Sequence, residues 1–231
     1  MLKTGEKVVA IIIARGGSKS IPRKNVLPVH GKPLVAWPIA LAKSISRIDR
    51  VILTTDDDEI AAIGRKYGAE TPFKRPAELS EDQTPTVPVL QHCLKFLKDQ
   101  ENYRAEIVLL LYPTAPFLKK ERVEEALNLF EQTDCNSVLS VIPDWGRFWQ
   151  FNETVRKYQP FYPKDRVNRQ YYKSLYREDG AVYFSRYAVL VEMNKLIDDR
   201  KVEFLMMKEG ENVDIDNPED LTKAQEKHAI S

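Results

Sequence analysis

The chain has 231 residues, 43% hydrophobic and 30% charged, with 9 glycines, 14 prolines and no unit recurring at a fixed spacing. That suits one globular domain over residues 1–231 and excludes disordered, collagen-like and solenoid readings. Net charge is only +1, yet from Lys7 to Arg47 there are eight Lys/Arg and no Asp or Glu, a distribution that points to a local anion site and away from a general nucleic-acid binder.

Val8 to Ala14 is a continuous, β-branched-rich apolar run that predicts a strand covered on both faces. It ends in Arg15-Gly16-Gly17-Ser18, and a helix is expected over Leu34 to Ile45. Val51 to Thr55 reads as the next strand, followed by a helix whose first turn is acidic (Asp56 to Glu59) and which stops near Gly68. Residues 70–73 read as a third strand and Pro76 to Pro88 as a loop. Helical spacing returns at Val89 to Lys98. A buried strand over Glu106 to Tyr112 leads into Pro113-Thr114-Ala115-Pro116, an amphipathic helix over Lys119 to Thr133 and a strand over Ser137 to Ile142. Strand and helix thus alternate, which argues for an open α/β sheet with ligands beyond the carboxyl ends of its strands. Between Trp145 and Tyr187 lie 13 of the 22 aromatic residues, with nine Lys/Arg against four acids, read as an excursion from the sheet that suits an interface. Core strands are expected again at Ala181 to Phe184, Glu203 to Met207 and Val213 to Asp216, and a last helix from Pro218.

The longest apolar runs are far short of the roughly 20 residues that span a bilayer, and the first passes into Arg15 without a cleavage pattern. A soluble, cytoplasmic protein with no membrane partner is expected. Cys93 and Cys135 stand apart, and His30, His92 and His228 are scattered. Zinc, disulfide and thiol-nucleophile chemistry therefore have little support, and two buried cysteines are expected.

Chemistry concentrates in Arg15 to Asn25, where four cations follow a strand and a pair of glycines. Adjacent glycines let backbone N–H groups face a ligand without Cβ obstruction, and Arg and Lys supply charge for phosphate oxygens. The run has the form of a triphosphate cradle, although it matches neither the Walker A loop nor the GxGxxG fingerprint. Asp214 and Asp216 are two apart, so on a strand both carboxylates would share one face and engage one Mg²⁺. Asp216 could equally cap the last helix, and Asp56 could cap the helix after the second strand.

The run Ile13 to Asn25 closely resembles the signature of the acylneuraminate cytidylyltransferase family, the CMP-sialic acid synthetases and their relatives acting on other nonulosonic acids. The resemblance continues, in the family's order, through Thr55-Asp56, Arg75 to Asp82, Tyr112 to Pro116, Asp179 to Tyr183 and Asp214-Ile215-Asp216. It implies a three-layer, Rossmann-like nucleotidyltransferase fold with a mostly parallel sheet and an inserted dimerisation arm within 145–187, hence a homodimer. The implied reaction is CTP plus an acid sugar giving a CMP-sugar and pyrophosphate, with Mg²⁺. Arg15, Lys19 and Lys24 would hold phosphates, Arg15 and Lys19 in the catalytic role. Gly16, Gly17, Ser18 and Asn25 would place the nucleotide, with Arg75, Asp82 and Thr84 along its side. Tyr112, Thr114, Arg177 and Tyr183 would meet the sugar, and the resemblance favours metal ligation by Asp214 and Asp216 over capping.

Departures bear on the acceptor. Tyr112 stands where sialate-specific members commonly have Gln, Ala115 where they have Ser, Asp179 where they have Asn, and Ser20 replaces a Gly. Tyr-x-Thr-Ala-Pro looks like the pseudaminate-activating branch, whereas Arg177 to Tyr183 resembles the sialate and legionaminate branch. Activation of Kdo or of a phosphonate by CTP is the nearest alternative within the enzymes. A nucleic-acid binder and a catalytically silent nucleotide binder are the alternatives outside them.

Overall fold

The computed structural model describes residues 5–161, 168, 171, 173–208, 210, 211 and 213–226. His228 and part of the 145–187 excursion lie outside the described residues. The chain begins with β1 (Val8–Ile13), a hairpin of β2 (Pro28–Val29) and β3 (Lys32–Pro33), α1 (Ala36–Lys43), β4 (Arg50–Thr54) and α2 (Asp58–Lys66). It continues with α3 (Thr86–Glu101), β5 (Ile107–Leu111), α4 (Lys120–Gln132) and β6 (Ser137–Asp144). A second hairpin, β7 (Trp149–Asn152) and β8 (Lys157–Pro160), precedes β9 (Leu175–Arg186), α5 (Tyr187–Val191), β10 (Val202–Met206) and α6 (Pro218–Glu226).

Six strands form one sheet in the order β10-β6-β9-β5-β1-β4. β1 pairs parallel with β4 and β5, β10 pairs parallel with β6, and β9 runs antiparallel between β5 and β6. The unbroken apolar runs have the expected cause. Val8, Ala10 and Ile12 enter one core with Ile39 of α1 and Val123, Leu127 and Phe130 of α4. Val9 and Ile11, their alternate neighbours, enter the opposite core with Leu90, Leu94 and Leu97 of α3 and Leu190 of α5. A strand whose side chains alternate between two buried faces has no polar side to show, so periodicity vanishes and hydrophobicity remains. The α/β expectation, with a mostly parallel sheet between helical layers, is met.

A third, smaller core positions the functional segments: Ile21, Val29, Leu34, Ile215 and Ala224 are buried together. It joins the segment after β1, the β2–β3 hairpin, the stretch before α6 and α6 itself. Cys93 and Cys135 are free and buried, and burial pushes the Cys93 thiol far above its usual range. Among the described residues no helix is long and apolar enough to cross a membrane.

Three local expectations need correction. Residues 70–73 form no strand: Glu70 alone bridges β4, exchanging hydrogen bonds with Val51 and Leu53 at 2.8 Å, and Pro72 has no N–H with which to extend the ladder. Val213 to Asp216 is not a strand either; its backbone bond to the β5 side runs from Ile215 N–H to Thr114 O at 2.9 Å. The 76–88 loop is shorter than read, because α3 starts at Thr86. Pro88 sits in its first turn, where a missing N–H costs no helical bond.

Candidate active site

The carboxyl ends of β1, β4 and β5 release three segments side by side: the strap Arg15–Asn25, the turn Thr55-Asp56-Asp57 and the loop Tyr112–Pro116. Between them and the loop before α3 lies a cleft of about 220 Å³ lined by Arg15, Lys24, Asn25, Arg75, Asp82, Thr84, Thr86, Tyr112 and Thr114, among others. Eight of those residues are strap, nucleotide-side or sugar-side residues expected from the sequence, drawn from regions nearly 100 residues apart.

Asn25 is 8% exposed and donates from Nδ2 to Arg15 O at 2.9 Å, so one buried amide closes the strap upon its own beginning. Lys24 turns toward the stretch before α6, donating to Ile215 O at 2.8 Å with its ammonium 3.6 Å from Asp216. Arg15 and Lys19 meet the same acid: Asp82 lies 2.5 Å from Arg15 and also pairs with Lys19. The Lys19 contact, aided by Arg15, lowers the Asp82 carboxyl below its usual value. Arg15 and Lys19 therefore converge on one anion, and in this state the anion is a side chain of the opposite wall.

The paired glycines serve differently from the expectation. The Gly16 N–H donates to Asp56 Oδ1 at 3.0 Å and so is not free for phosphate here. Gly16 is needed for closeness, because a Cβ there would stand 2.8 Å from Asp57 Oδ2, while one on Gly17 would meet nothing within 4 Å. Ser18 lies between them and Lys19 on the half-exposed part of the strap.

Arg75 is 3% exposed, held by Thr55 O through its backbone at 2.8 Å and by Ser80 Oγ through Nε at 3.1 Å. Its Nη2 stands 3.5 Å from Asp56 Oδ1 and makes no hydrogen bond. Burial lowers its pKa against the opposing pull of Asp56. A desolvated guanidinium with an unused donor facing a cleft favours an anionic or carbonyl-bearing ligand. Thr84 closes the loop by donating to Glu81 O from its N–H at 3.2 Å and to Glu78 O from its hydroxyl at 3.3 Å.

On the β5 side, the Tyr112 hydroxyl is 2.8 Å from Thr86 Oγ1, and its ring stands edge-on to Tyr183 at 6.3 Å. Burial raises the pKa of both phenols, and Tyr183 also donates to Glu178 at 2.9 Å. Arg177 is not with them. It faces Asp144 at 3.6 Å in a second cleft of about 570 Å³, with Trp145, Met207 and Lys208, beyond the ends of β6 and β10. Tyr112, Thr114 and Tyr183 are thus grouped, and Arg177 belongs to a separate concavity on the same sheet edge.

The two carboxylates before α6 flank buried Ile215, so the outward alternation expected of a strand exists without the strand. Asp216 does not cap α6: Asn217 does, its Oδ1 accepting from Asp220 N–H at 3.0 Å. Asp214 is crowded by Thr114 and by Gly180, whose φ of +75° admits the close turn, and desolvation with the neighbouring Asp216 raises its carboxyl pKa. Asp56 likewise is not a cap, since Asp57 takes the Ile60 N–H at 2.9 Å. The sequence reading gave no site role to Thr86, Asn217, Asp57 or Arg23, the last two counted only as part of an acidic first turn and as one of four strap cations. The adjacent acids after β4 were its one visible trace of the Asp56-Asp57 turn.

An α/β sheet with a cationic strap leaving its first strand and two carboxylates facing that strap has the form of a nucleotidyltransferase. Solved structures share this fold. CMP:2-keto-3-deoxy-manno-octonic acid synthetase complexed with CTP superposes with a TM-score of 0.69 at 16% identity, over 95% of this chain and 97% of that one. A 4-diphosphocytidyl-2C-methyl-D-erythritol synthase gives 0.68 at 12% identity, over 96% and 97%.

A family model described as cytidylyltransferase matches residues 9–227, and the chain belongs to that family. The chain is 32% identical over 229 residues to the pseudaminic acid cytidylyltransferase of Campylobacter jejuni subsp. jejuni serotype O:23/36, covering 95% of each. It is 35% identical over 188 residues to that of serotype O:2, covering 77% of this chain and 78% of the relative. The CMP-N,N'-diacetyllegionaminic acid synthase of Legionella pneumophila is 29% identical over 219 residues, 93% of each.

Proposed function

We propose that the chain transfers the CMP unit of CTP to the anomeric hydroxyl of a nonulosonic acid and releases pyrophosphate. One observation carries the reading: Arg15, Lys19 and Lys24 lie on one short strap that faces Asp82 on one side and Asp216 on the other. In the reaction the anomeric oxygen forms a bond to the α-phosphorus, the bond from that phosphorus to the β-bridging oxygen breaks, and its electron pair leaves with pyrophosphate. The hydroxyl proton passes to solvent or to a base on the substrates. Charge builds on the leaving group, so Arg15 and Lys19 do their work there, while Asn25 and the Gly16 turn fix the strap's shape.

Asp82 must yield its two cations to the triphosphate. Pockets for drug-sized ligands run to roughly 300–1,000 Å³, more than the cleft offers while Asp82 bridges it. Nucleotide entry therefore moves the loop before α3 outward. Arg75 and Thr84 lie along that loop, on the nucleotide side. Tyr112, Thr114 and Tyr183 form the wall for the acid sugar.

Asp214 and Asp216 fit Mg²⁺. They are hard oxygen donors beside a phosphate-facing lysine, and Asn217 relieves Asp216 of capping. Two carboxylates suffice, because Mg²⁺ takes its remaining ligands from phosphates and water. Bound there, the ion would neutralise charge on the triphosphate. Within the nonulosonic acids, both Campylobacter relatives are pseudaminic acid enzymes, and Tyr112 and Ala115 agree with that branch. A homodimer through residues 145–187 completes the proposal, with Trp149 53%, Tyr158 70% and Phe161 60% exposed in one chain. The test is pyrophosphate release with Mg²⁺, each of the four NTPs and a panel of pseudaminic, legionaminic, sialic and Kdo acids. CTP with a nonulosonic acid is expected to lead, and equal turnover with UTP would overturn the cytidylyl assignment.

A further inference from the structure

Arg23 is the strap cation that points away from the cleft. It adopts φ 58°, in the left-handed region that a non-glycine residue enters at a cost unless its surroundings hold it there. Its Nη1 donates to Asp57 Oδ2 at 2.5 Å and its Nη2 to Asp57 Oδ1 at 3.3 Å, and it also pairs with Glu59 in the first turn of α2. Asp57 is itself fixed, capping α2 through Ile60 N–H at 2.9 Å and donating its own N–H to Thr55 Oγ1 at 3.2 Å. One residue earlier, Asp56 takes the Gly16 N–H. Consecutive acids at the end of β4 therefore grip the strap at both its beginning and its end. Between the grips only Ile21 is buried, so the path of Gly17 to Pro22 depends on these ends.

We propose that Arg23 and Asp57 form a positioning clamp for the phosphate-binding strap, Arg23 acting through the strap's shape and not as a phosphate ligand. The inference rests on the proposed binding of a triphosphate by Arg15, Lys19 and Lys24. It inverts the simplest reading of a basic loop, in which every cation contacts phosphate. The two readings differ in sign. If Arg23 were a ligand restrained by Asp57, removing the Asp57 charge would release it and tighten binding. If the pair is a clamp, the same change loosens the strap and weakens binding.

The experiment is calorimetric binding of CTP and of inorganic tripolyphosphate, each with Mg²⁺, to the full chain and to Asp57→Asn, Arg23→Ala, Arg23→Lys and the Asp57→Asn/Arg23→Ala double variant, alongside KM, kcat and thermal melts. Asparagine keeps the cap, and Arg23 is exposed, so all four are expected to fold. The clamp predicts that Asp57→Asn and Arg23→Ala each weaken both probes by about tenfold or more. It also predicts that the double variant is no worse than the worse single one, and that Arg23→Lys recovers part of the loss. Tighter binding by Asp57→Asn would make Arg23 a phosphate ligand and overturn the clamp. Unchanged affinities with a lowered melt would reduce the pair to fold stability and overturn it equally. Failure of the unsubstituted protein to bind either probe would instead bring down the triphosphate reading, and the clamp with it.

Discussion

Arg15 and Lys19 share one carboxylate, and that fact sets the expectations for each of the three residues. Lys19→Ala and Arg15→Ala should each lower kcat/KM by about 10²-fold or more, the scale for losing a charged transition-state donor. Because Lys19 is a surface side chain, its stability change should stay within about 0.5 kcal/mol. Steady-state kinetics paired with melts checks both, and folded variants with near-normal rates would remove the strap from the chemistry. Asp82→Asn should act in the opposite direction, since it frees both cations before the nucleotide arrives. A several-fold fall in the KM for CTP is expected, and a rise would mean that the carboxylate contacts the nucleotide itself. Asp216 and Asn217 separate metal from cap. Asp216→Asn should lose turnover with its melt intact, whereas Asn217→Ala should cost about 1 kcal/mol of stability, the worth of an N-cap, and leave the Mg²⁺ requirement alone.

At the scale of elements, the sequence announced the parallel strands and their helices well. Val8 to Ile13 and Ile107 to Leu111 are apolar without alternation, which only a doubly covered strand allows. It was poorest where polar residues line the functional edge. β9 extends to Leu175, far beyond the apolar Ala181 to Phe184, because its amino-terminal half is polar: Arg177 and Glu178 are exposed, Arg177 lining the second cleft, while Asp179 turns inward to accept from the Ser140 hydroxyl. No periodicity could reveal that pairing, which β6 supplies across a register shift near Ser140. The site divides in the same way. Arg15, Lys24, Asn25, Arg75, Asp82, Thr84, Tyr112 and Thr114 come together at the cleft that motif and resemblance indicated. The Arg23–Asp57 grip, the Thr86–Tyr112 contact and the separation of Arg177 depend on tertiary packing that no local pattern encodes. A pH prediction belongs to that grip. Arg23, then the Ile60 N–H, hold the Asp57 carboxyl below its ordinary 3.8. Its stabilisation is therefore present above that value and is lost as pH falls through the lowered one. Urea denaturation of the wild type and of Asp57→Asn should differ at pH 7, and the difference should begin to narrow as pH falls below about 4 and continue to narrow through the lowered value. A gap of constant size from pH 7 down through the acid range would mean that charge is not its source.

For the whole molecule, exposed aromatic side chains concentrate between Trp145 and Tyr176. Tyr176 is 52% exposed and packs on Phe204 of β10, 41% exposed, and the β7–β8 hairpin exposes Trp149, Phe151 and Tyr158. Exposed apolar surface of this kind is normally covered by a partner, and a second copy is expected to cover it. Sedimentation should show a dimer at micromolar concentration, and Trp149→Glu with Tyr158→Glu should shift it to monomer. A fully active monomer would contradict the assignment. The central claim is that a CTP α-phosphorus is delivered to a free anomeric hydroxyl. It is tested most directly by phosphorus NMR of the protein with Mg²⁺, CTP and a nonulosonic acid, run beside the methyl glycoside of the same acid. The account predicts matched growth of pyrophosphate and a new CMP phosphodiester signal with the free sugar, and neither with the glycoside. Pyrophosphate release that ignores the blocked hydroxyl, or no phosphodiester with any free acid sugar, would contradict it.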